Sequence, residues 1–350
     1  MSMGDRRPFR SWLLKVTQWP VDPLLMLRRS HTTFFRHRRR LRLLMVTTLA
    51  VTACTGPQVL QQTGPGSATL SSTPRFVVVC RFDHRRSDDP IVFPGAPGAS
   101  HSHDFFGNTS TDAFSNSAGL LSSTSPAAFG EVFPGTTCGR SGDKSAYWAP
   151  TLLKGDLAYP SNLVRAYYRS AMSDPSVVQP MPAGLRMIAG NAKAAAAQPI
   201  SVTSWACGSG GDQTEVSSAP ACPTGVSLHL KVAFPNCWNG RDLDSSDHKS
   251  HLSYSSGGQC PPGFPVALPK ISLIFRYTGV SGAGVHLACG NDLCAHADFM
   301  DGWAVSAQSA LVVDCIRRGL DCGEVGGPGG GIVPTGAGIP DSAPAPAMTM

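Results

Sequence analysis

The sequence lacks the short motifs that mark the familiar hydrolases and nucleotide-binding proteins. It contains no G-x-S-x-G nucleophile elbow, no H-E-x-x-H zinc helix and no glycine loop placed to hold phosphates. No two cysteines stand in a C-x-x-C spacing, which weakens the case for a cysteine-ligated zinc site. These absences disfavour serine hydrolases, zincin proteases and nucleotide-dependent enzymes.

Charge is also scarce, since charged residues make up only 15% of the 350 residues. Eleven of the 29 lysines and arginines fall in the first 54 positions, where the only acidic residues are Asp5 and Asp22. From residue 55 onward, 18 basic residues face 21 acidic ones, a balance of -3. The formal charge of +6 therefore belongs to the N-terminal segment, and the sequence gives no reason to expect nucleic acid as a partner.

The N-terminal segment, residues 1–54, has the pattern of an extension followed by an export signal. A basic run, RHRRRLR, precedes an uncharged apolar stretch of eleven residues, 43–53, which is too short to cross a bilayer. The stretch ends in Val51-Thr52-Ala53-Cys54, which resembles a bacterial lipobox. We predict a lipoprotein anchored through Cys54 at the outer face of the cell membrane; an ordinary cleaved signal and secretion are the alternative.

Composition divides the rest of the chain into three parts. Residues 55–73 are rich in Gly, Ser, Thr and Gln, which predicts a flexible linker. Residues 323–350 are rich in Gly, Pro and Ala, which predicts a disordered tail. Residues 74–322 are enough for one large domain.

Ten cysteines remain when Cys54 is set aside. An even number in an exported chain indicates a disulfide framework of up to five bridges. Cys289 with Cys294, and Cys315 with Cys322, are close enough in sequence to close short loops. The rest of the connectivity stays open.

Strand signals outnumber helix signals within residues 74–322. Short segments rich in β-branched and aromatic residues, bounded by Gly, Pro or Ser, predict strands at 76–82, 145–153, 163–170, 185–190, 226–234 and 271–277. One convincing helix is predicted at 306–319. The prediction is a mainly β (β-rich α+β) protein: a single antiparallel β-sandwich-like domain with long irregular loops held by disulfides and one C-terminal helix. The ionisable motifs are expected in those loops.

Three segments concentrate histidines and carboxylates: HSHDFFG at 101–107, RDLDSSDHKSHLSY at 241–254 and HADFMDGW at 296–303. In an extended chain the first two histidines point to the same side, as do the His and Asp of the third segment, because side chains alternate with period two. In the second segment Asp244 and Asp247 are three residues apart, and so are His248 and His251. One helical turn would therefore place each pair on a common face. Brought together, the segments would form one site with five imidazoles.

The order of these motifs resembles the family of domains of unknown function catalogued as DUF1996. The resemblance rests on HxH, C-x5-K-S-x-Y-W at 138–148, G-x-R-M at 184–187, FPxCWxG at 234–240, DxxDHKSHLxY at 244–254, CPxxxP at 260–265 and HxDxxxGW at 296–303, and it extends from Asp88 to Cys315. It implies a secreted protein, often found beside carbohydrate-binding modules, with no assigned activity. The chain departs from the family pattern at Asn239, where Asp is usual, and at Ser246, where Pro is common.

The leading functional prediction is a hydrolase of extracellular or cell-wall polysaccharide. One carboxyl group would protonate the leaving oxygen and a second would activate water or attack directly, with histidines tuning both. The candidate catalytic residues are His101, His103, Asp244, Asp247, His248, His251, His296 and Asp298. Candidates for contact with the sugar are Lys144, Tyr147, Trp148, Trp238, Tyr254 and Trp303.

Two alternatives use the same residues differently. In the first, a divalent metal ion is bound by a set drawn from His101, His103, His251, His296 and Asp298, and it activates water. In the second, the protein is a non-catalytic surface protein that binds polysaccharide or the cell wall, and the polar groups only hold its loops. Trp238, next to Cys237, fits packing on a disulfide better than sugar stacking.

Overall fold

Apolar residues alternate with polar ones in most of the predicted strands, and the computed structural model forms strands in all six segments. The structure describes residues 69–70, 73–124, 133–140, 142–208 and 214–325. The predicted export signal, Cys54 and most of the predicted linker and tail lie outside the described residues. The strands are β1 Thr69–Leu70, β2 Arg75–Arg86, β3 His103–Gly107, β4 Ala146–Pro150, β5 Leu152–Lys154, β6 Leu157–Tyr159, β7 Leu163–Arg169, β8 Arg186–Gly190, β9 Thr203–Cys207, β10 Leu228–Ala233, β11 Cys237–Trp238, β12 Leu252–Ser253, β13 Val266–Ala267, β14 Lys270–Tyr277, β15 Val285–Leu287, β16 His296–Met300 and β17 Leu320–Glu324.

Strand β2 belongs to two sheets. Its first half pairs with β7 and its second half with β3, and the register shifts between Phe82 and His84. The first sheet runs β9-β10-β14-β7-β2, and the second runs β2-β3-β4-β16-β8. All of these pairings are antiparallel. The free ends of the two sheets approach each other, since a Cβ on Gly190 of β8 would lie 3.1 Å from Thr203 of β9. The predicted antiparallel β-sandwich-like fold is confirmed, in a form close to a barrel.

The main core fills the space between the two sheets. Phe106 of the second sheet packs on Phe275 of the first, with ring centroids 5.5 Å apart. Within the first sheet Phe76 stacks on Tyr168 at 4.7 Å. Burying rings of this size contributes roughly 1.5–3 kcal/mol each, so these contacts hold the two layers together.

The outer face of the second sheet is also covered. Phe105, Trp148 and Met300 point away from the main core and pack with Ile91 and Leu120, which precede and follow β3 in the chain. As a result all five residues of β3, of β4 and of β16 are buried. Polar side chains on this face are therefore cut off from water.

The helical segments are α1 Ser117–Ser122, a 3-10 turn at Pro175–Val177, α2 Val305–Leu311 and a π-helical turn at Val312–Arg317. The last two together form the predicted C-terminal helix, which ends before Gly319 at φ +73°. The sheet reaches slightly beyond the predicted domain limits. Strand β1 lies in the predicted linker, and β17 continues two residues into the predicted tail.

Five disulfides form: Cys80–Cys138, Cys207–Cys222, Cys237–Cys260, Cys289–Cys294 and Cys315–Cys322. The two short-range pairs predicted from spacing are confirmed. Such a framework is typical of proteins that fold in an oxidising compartment outside the cytoplasm. In the part of the chain that the structure describes, no helix is long and apolar enough to cross a membrane.

Candidate metal centre

The first and third motifs meet on the covered outer face of the second sheet. His103 is the first residue of β3, while His296 and Asp298 are the first and third residues of β16. Strand β4 lies between them, with Trp148 paired to Asp298 and Pro150 paired to His103. The two motifs therefore lie at the ends of strands, which corrects the prediction that they lie in loops. The period-two geometry predicted for His296 and Asp298 is observed.

The two buried imidazoles face each other through their Nε2 atoms, which are 3.4 Å apart. The Nδ1 of His103 donates to the carbonyl of Asp88 at 3.0 Å, and the Nδ1 of His296 donates to the carbonyl of Cys294 at 2.9 Å. Each ring thus carries its proton on Nδ1 and leaves a lone pair on Nε2. Burial lowers the pKa of His296 to about 3 and the pKa of His103 well below its ordinary value, so both rings are neutral at physiological pH. Two lone pairs at this distance repel unless a cation lies near both.

His101 adds a third imidazole. Its ring centroid lies 4.3 Å from that of His103 and 5.0 Å from that of His296. Its Nε2 is buried and has no hydrogen-bond partner. One ring nitrogen from each of the three histidines lies within 4.8 Å of the other two. His101 is partly exposed, so solvent reaches the cluster from the side where His101 lies.

Asp298 supplies a carboxylate with no partner, since both of its oxygens are buried and neither accepts a hydrogen bond. Burial, together with the charge of Asp89, raises the pKa of Asp298 well above its ordinary value. An unpaired carboxylate in the interior costs several kcal/mol when it is ionised. A bound cation would remove that cost and would satisfy the imidazole lone pairs at the same time.

Asp89 is a fifth member that the sequence analysis missed. It contributes a carboxylate oxygen within 4.8 Å of ligand atoms of His103 and Asp298. Its Oδ1 accepts hydrogen bonds from the amides of Ile91 and Val92, both at 3.0 Å, which fixes its orientation. The only signal in the sequence is an acidic pair before a proline, and that pattern is equally typical of a turn.

The second motif, 241–254, does not form the helical turn that its spacing permitted; residues 241–251 form turns and bends. Asp247 Oδ1 accepts hydrogen bonds from the hydroxyls of Ser245 and Ser250 and from the amides of Lys249 and Ser250, at 2.8–3.1 Å. These bonds hold the pKa of Asp247 well below its usual range. Asp247 therefore stabilises the turn and stays ionised, which does not suit the proton-donating role.

His251 is also a loop-holding residue. Its Nδ1 bonds Ser245 Oγ at 2.9 Å and its Nε2 bonds the carbonyl of Arg186 at 2.8 Å, so neither nitrogen is free for a metal. In this arrangement His251 stands apart from the groups of ligand atoms that could hold a metal ion. Asp244 pairs with His248 at 2.9 Å and with Arg186 at 3.4 Å, and all three side chains are partly exposed.

Lys249 connects this loop to the candidate metal cluster. Its Nζ donates to the carbonyl of Gly190 at 2.7 Å, and Gly190 pairs with His296 in the sheet. Burial dominates the pKa shifts of both cluster residues, and the positive charge of Lys249 opposes the rise in the pKa of Asp298 and adds to the fall in the pKa of His296.

A cleft of about 280 Å³ lies beside the cluster. Ile188 and Gly190 line it, and these residues pair with Asp298 and His296 respectively. Tyr254 and Lys249 line it as well, together with Asn191, Gln198, Pro199, Val202, Pro235 and Leu252. Of the aromatic residues predicted to contact sugar, Tyr254 is the one that lines this cleft.

The other predicted sugar-contact residues have different surroundings. Tyr147, Trp148 and Trp303 are 0%, 0% and 1% exposed, which leaves no ring face free for a sugar. Trp238 is buried in the main core and donates from Nε1 to the carbonyl of Asp242 at 2.6 Å. Lys144 donates to the carbonyl of Ser123 at 2.6 Å. These residues pack the core or hold loops, and none of them lines the cleft.

Fold and site together define a disulfide-bonded antiparallel β sandwich with a buried histidine and aspartate cluster on the outside of one sheet. The family model described as "Domain of unknown function (DUF1996)" matches residues 89–303, more than half of the chain, and the chain belongs to this family. The match begins at Asp89, ends at Trp303 and so includes all five members of the cluster. No curated protein and no solved structure matches the chain.

Proposed function

We propose that this protein binds a divalent transition metal ion, of which zinc fits the donor set best, through His101, His103, His296 and Asp298. The observation that carries the proposal is a pair of ligand groups that share His103, one with His101 and His296 and the other with Asp89 and Asp298. In these groups the Nε2 of His101 and both carboxylate oxygens of Asp298 are buried without a hydrogen-bond partner. Imidazole nitrogens with one carboxylate are ligands that zinc prefers, and they suit copper and nickel as well.

The surroundings of the cluster support the same proposal. A histidine that ligates a metal through Nε2 usually donates its Nδ1 proton to a carbonyl or carboxylate, which fixes the tautomer and the ring. His103 and His296 both make this bond to backbone carbonyls. Bulk water does not reach these atoms, because His103, His296 and Asp298 are 0%, 3% and 1% exposed.

We further propose that the centre hydrolyses an extracellular or cell-wall polysaccharide. An ion held here would supply Lewis acidity, which lowers the pKa of water and polarises the bond under attack. Asp89 would accept the proton that water gives up and pass it to the leaving oxygen, and Lys249 would attract negative charge that develops beside the cleft. The earlier prediction of a metal-free glycosidase is less well supported, because Asp244 and Asp247 are engaged in loop contacts.

A second candidate is a non-catalytic binding protein whose metal ion only fixes the loops. The near-complete burial of His103, His296 and Asp298 favours it, because only the His101 side of the cluster reaches solvent. In both cases we propose an exported protein, anchored through Cys54 or secreted. The five disulfides support export.

Metal analysis of the purified protein, with its disulfides intact, tests the proposal. We expect about one zinc ion per chain in the wild type and in the control His286→Ala, because His286 lies on β15, outside the cluster. The variants His103→Ala, His296→Ala and Asp298→Asn should lose the ion. A folded wild-type protein that takes up no divalent ion would overturn the proposal.

A second measurement separates the two candidates. Release of new reducing ends from cell-wall polysaccharide is followed with the metal-loaded protein and with the Asp298→Asn variant. Release by the wild type alone supports the hydrolase. Stoichiometric metal with binding to the polysaccharide and no release supports the non-catalytic protein.

A further inference from the structure

The outer face of the first sheet, on the other side of the main core from the metal cluster, carries a concentration of positive charge. Strands β2, β7, β10 and β14 bury alternate residues in the core, and the residues between them point outward. Seven of the outward residues in the described strands are basic: Arg75, Arg81, Arg165, Arg169, Lys231, Lys270 and Arg276. We call these seven residues the basic face.

The register places some of these cations side by side. Arg169 of β7 pairs with Arg75 of β2 on one side and with Lys270 of β14 on the other. Neighbouring strands are about 4.8 Å apart, so three positive charges stand in one row across three strands. Like charges directly opposite each other destabilise a sheet, so this row is unfavourable unless anions lie over it.

Carboxylates of the protein neutralise only part of the basic face. Arg75 pairs with Asp321 at 2.8 Å, Arg165 lies 3.9 Å from Glu324, and Lys231 pairs with Glu215. Arg81, Arg169, Lys270 and Arg276 have no carboxylate within 4.0 Å among the described residues. Seven basic groups against three acidic ones leave a net charge of +4 on this face, although the chain from residue 55 onward is acidic overall.

Two nitrogens on the same face lack hydrogen-bond partners. Arg169 Nε and His229 Nε2 are buried and unpaired. Burial and the charge of Arg75 lower the pKa of Arg169, and burial with the charges of Arg169 and Lys231 lowers the pKa of Lys270. The guanidinium groups of Arg75 and Arg169 also lie 5.8 and 5.2 Å from the ring centre of Tyr167. The tyrosine ring thus contacts both cations and helps to fix their positions.

We propose that the basic face binds a linear polyanionic glycan, one that carries carboxylate groups along its length. Rows of cations match a repeating anion, and arginine donates two parallel hydrogen bonds to a carboxylate. The proposal is independent of the metal centre, because no residue of the basic face belongs to the cluster. It gives the protein a second contact with a wall or matrix polymer.

An anionic membrane surface fits this face less well. Proteins that lie on membranes insert apolar side chains between the headgroups. The large apolar side chains that are most exposed in the described residues, such as Phe93, Phe114, Leu157 and Val305, all lie outside the strands of the first sheet. The basic face therefore carries positive charge but lacks the exposed large apolar side chains that would insert between lipid headgroups.

The test is binding of the purified protein to polygalacturonate, measured by titration calorimetry at low and moderate salt, with dextran as the neutral control. We expect binding to polygalacturonate alone, weakening as salt increases because the contacts are exposed to solvent. The double variant Arg169→Gln/Lys270→Gln should bind about tenfold more weakly than wild type, at less than 1 kcal/mol for each exposed contact. The matched control Lys154→Gln/Lys193→Gln removes the same charge from exposed positions elsewhere and should bind as wild type does.

Three results would overturn the proposal: no binding to polygalacturonate, equal weakening in both double variants, or binding to phosphatidylglycerol vesicles without binding to polygalacturonate. The last result would assign the face to a membrane. Arg81→Gln serves as a second variant, because Arg81 is exposed and its loss does not disturb the stacking on Tyr167. It should weaken binding about threefold while the protein remains folded.

Discussion

On the outer face of the first sheet, Arg169 and Lys270 reach solvent with part of their length, whereas on the outer face of the second sheet His296 and Asp298 are covered by protein. Both faces bring polar groups without partners together, and both lie on antiparallel strands of one fold. The partly exposed cations cost less because water screens part of their charge, and they suit a large ligand that arrives from outside. The covered groups cost more, and they suit a small cation that replaces the water they have lost. Covering a sheet face thus decides what kind of partner its polar groups can take.

The largest effect is expected when the cover of the second sheet is removed. Trp148→Ala deletes a fully buried ring that stacks on Phe105 at 5.6 Å and pairs with Asp298 in the sheet. We expect the free energy of unfolding to fall by about 4 kcal/mol. Tyr167→Ala, which removes a partly exposed ring from the outer face of the first sheet, should cost only about 1 kcal/mol. Chemical denaturation of both variants measures the difference, and equal losses would show that the two faces are not covered differently.

An intermediate effect is expected from buried carboxylates in the core between the sheets. Burial raises the pKa of Asp143 to about 6 and the pKa of Asp301 to about 7, although both accept hydrogen bonds. The folded state therefore holds these protons more tightly than the unfolded state does. This contribution to stability is present below about pH 4 and is lost as the pH rises towards 7.

The variant Asp143→Asn isolates this contribution, because asparagine keeps an acceptor for Tyr147 and does not ionise. Relative to wild type, the variant should gain on the order of 3 kcal/mol between pH 4 and pH 7. Urea unfolding at several pH values measures the gain. A difference that stays constant with pH would mean that Asp143 does not titrate in this range.

The smallest effect concerns the stability of the basic face itself. Arg169→Gln/Lys270→Gln relieves two like-charge pairs, so at low salt it should raise the free energy of unfolding by about 0.5 kcal/mol. The gain should disappear at high salt because the repulsion is screened. Loss of stability at low salt would mean that the row of cations is already neutralised within the protein.

Local pattern predicted much of the fold and four of the five members of the candidate metal cluster. Strand propensity located six strands, and cysteine spacing located two disulfides. Period-two alternation placed the His and Asp side chains of the third motif on one side of an extended segment, as β16 confirms. The spacing in the second motif was misleading, because Asp247 and His251 find partners within their own loop and in Arg186. Asp89 was missed because an acidic pair before a proline does not indicate which strand its side chains will contact in the folded protein.

The sequence by itself determined the β-rich class, the disulfide framework, the segments rich in histidine and the family, because each depends on composition or on short-range spacing. Only the tertiary structure decided which faces are covered. It set His103 beside His296 across 193 positions of chain, buried the indole of Trp148 and left the basic face partly exposed. Burial depends on which layers pack against each other, and that is decided only in the folded protein. The same type of residue can therefore bind a ligand, hold a loop or carry a surface charge, according to whether other parts of the chain cover it.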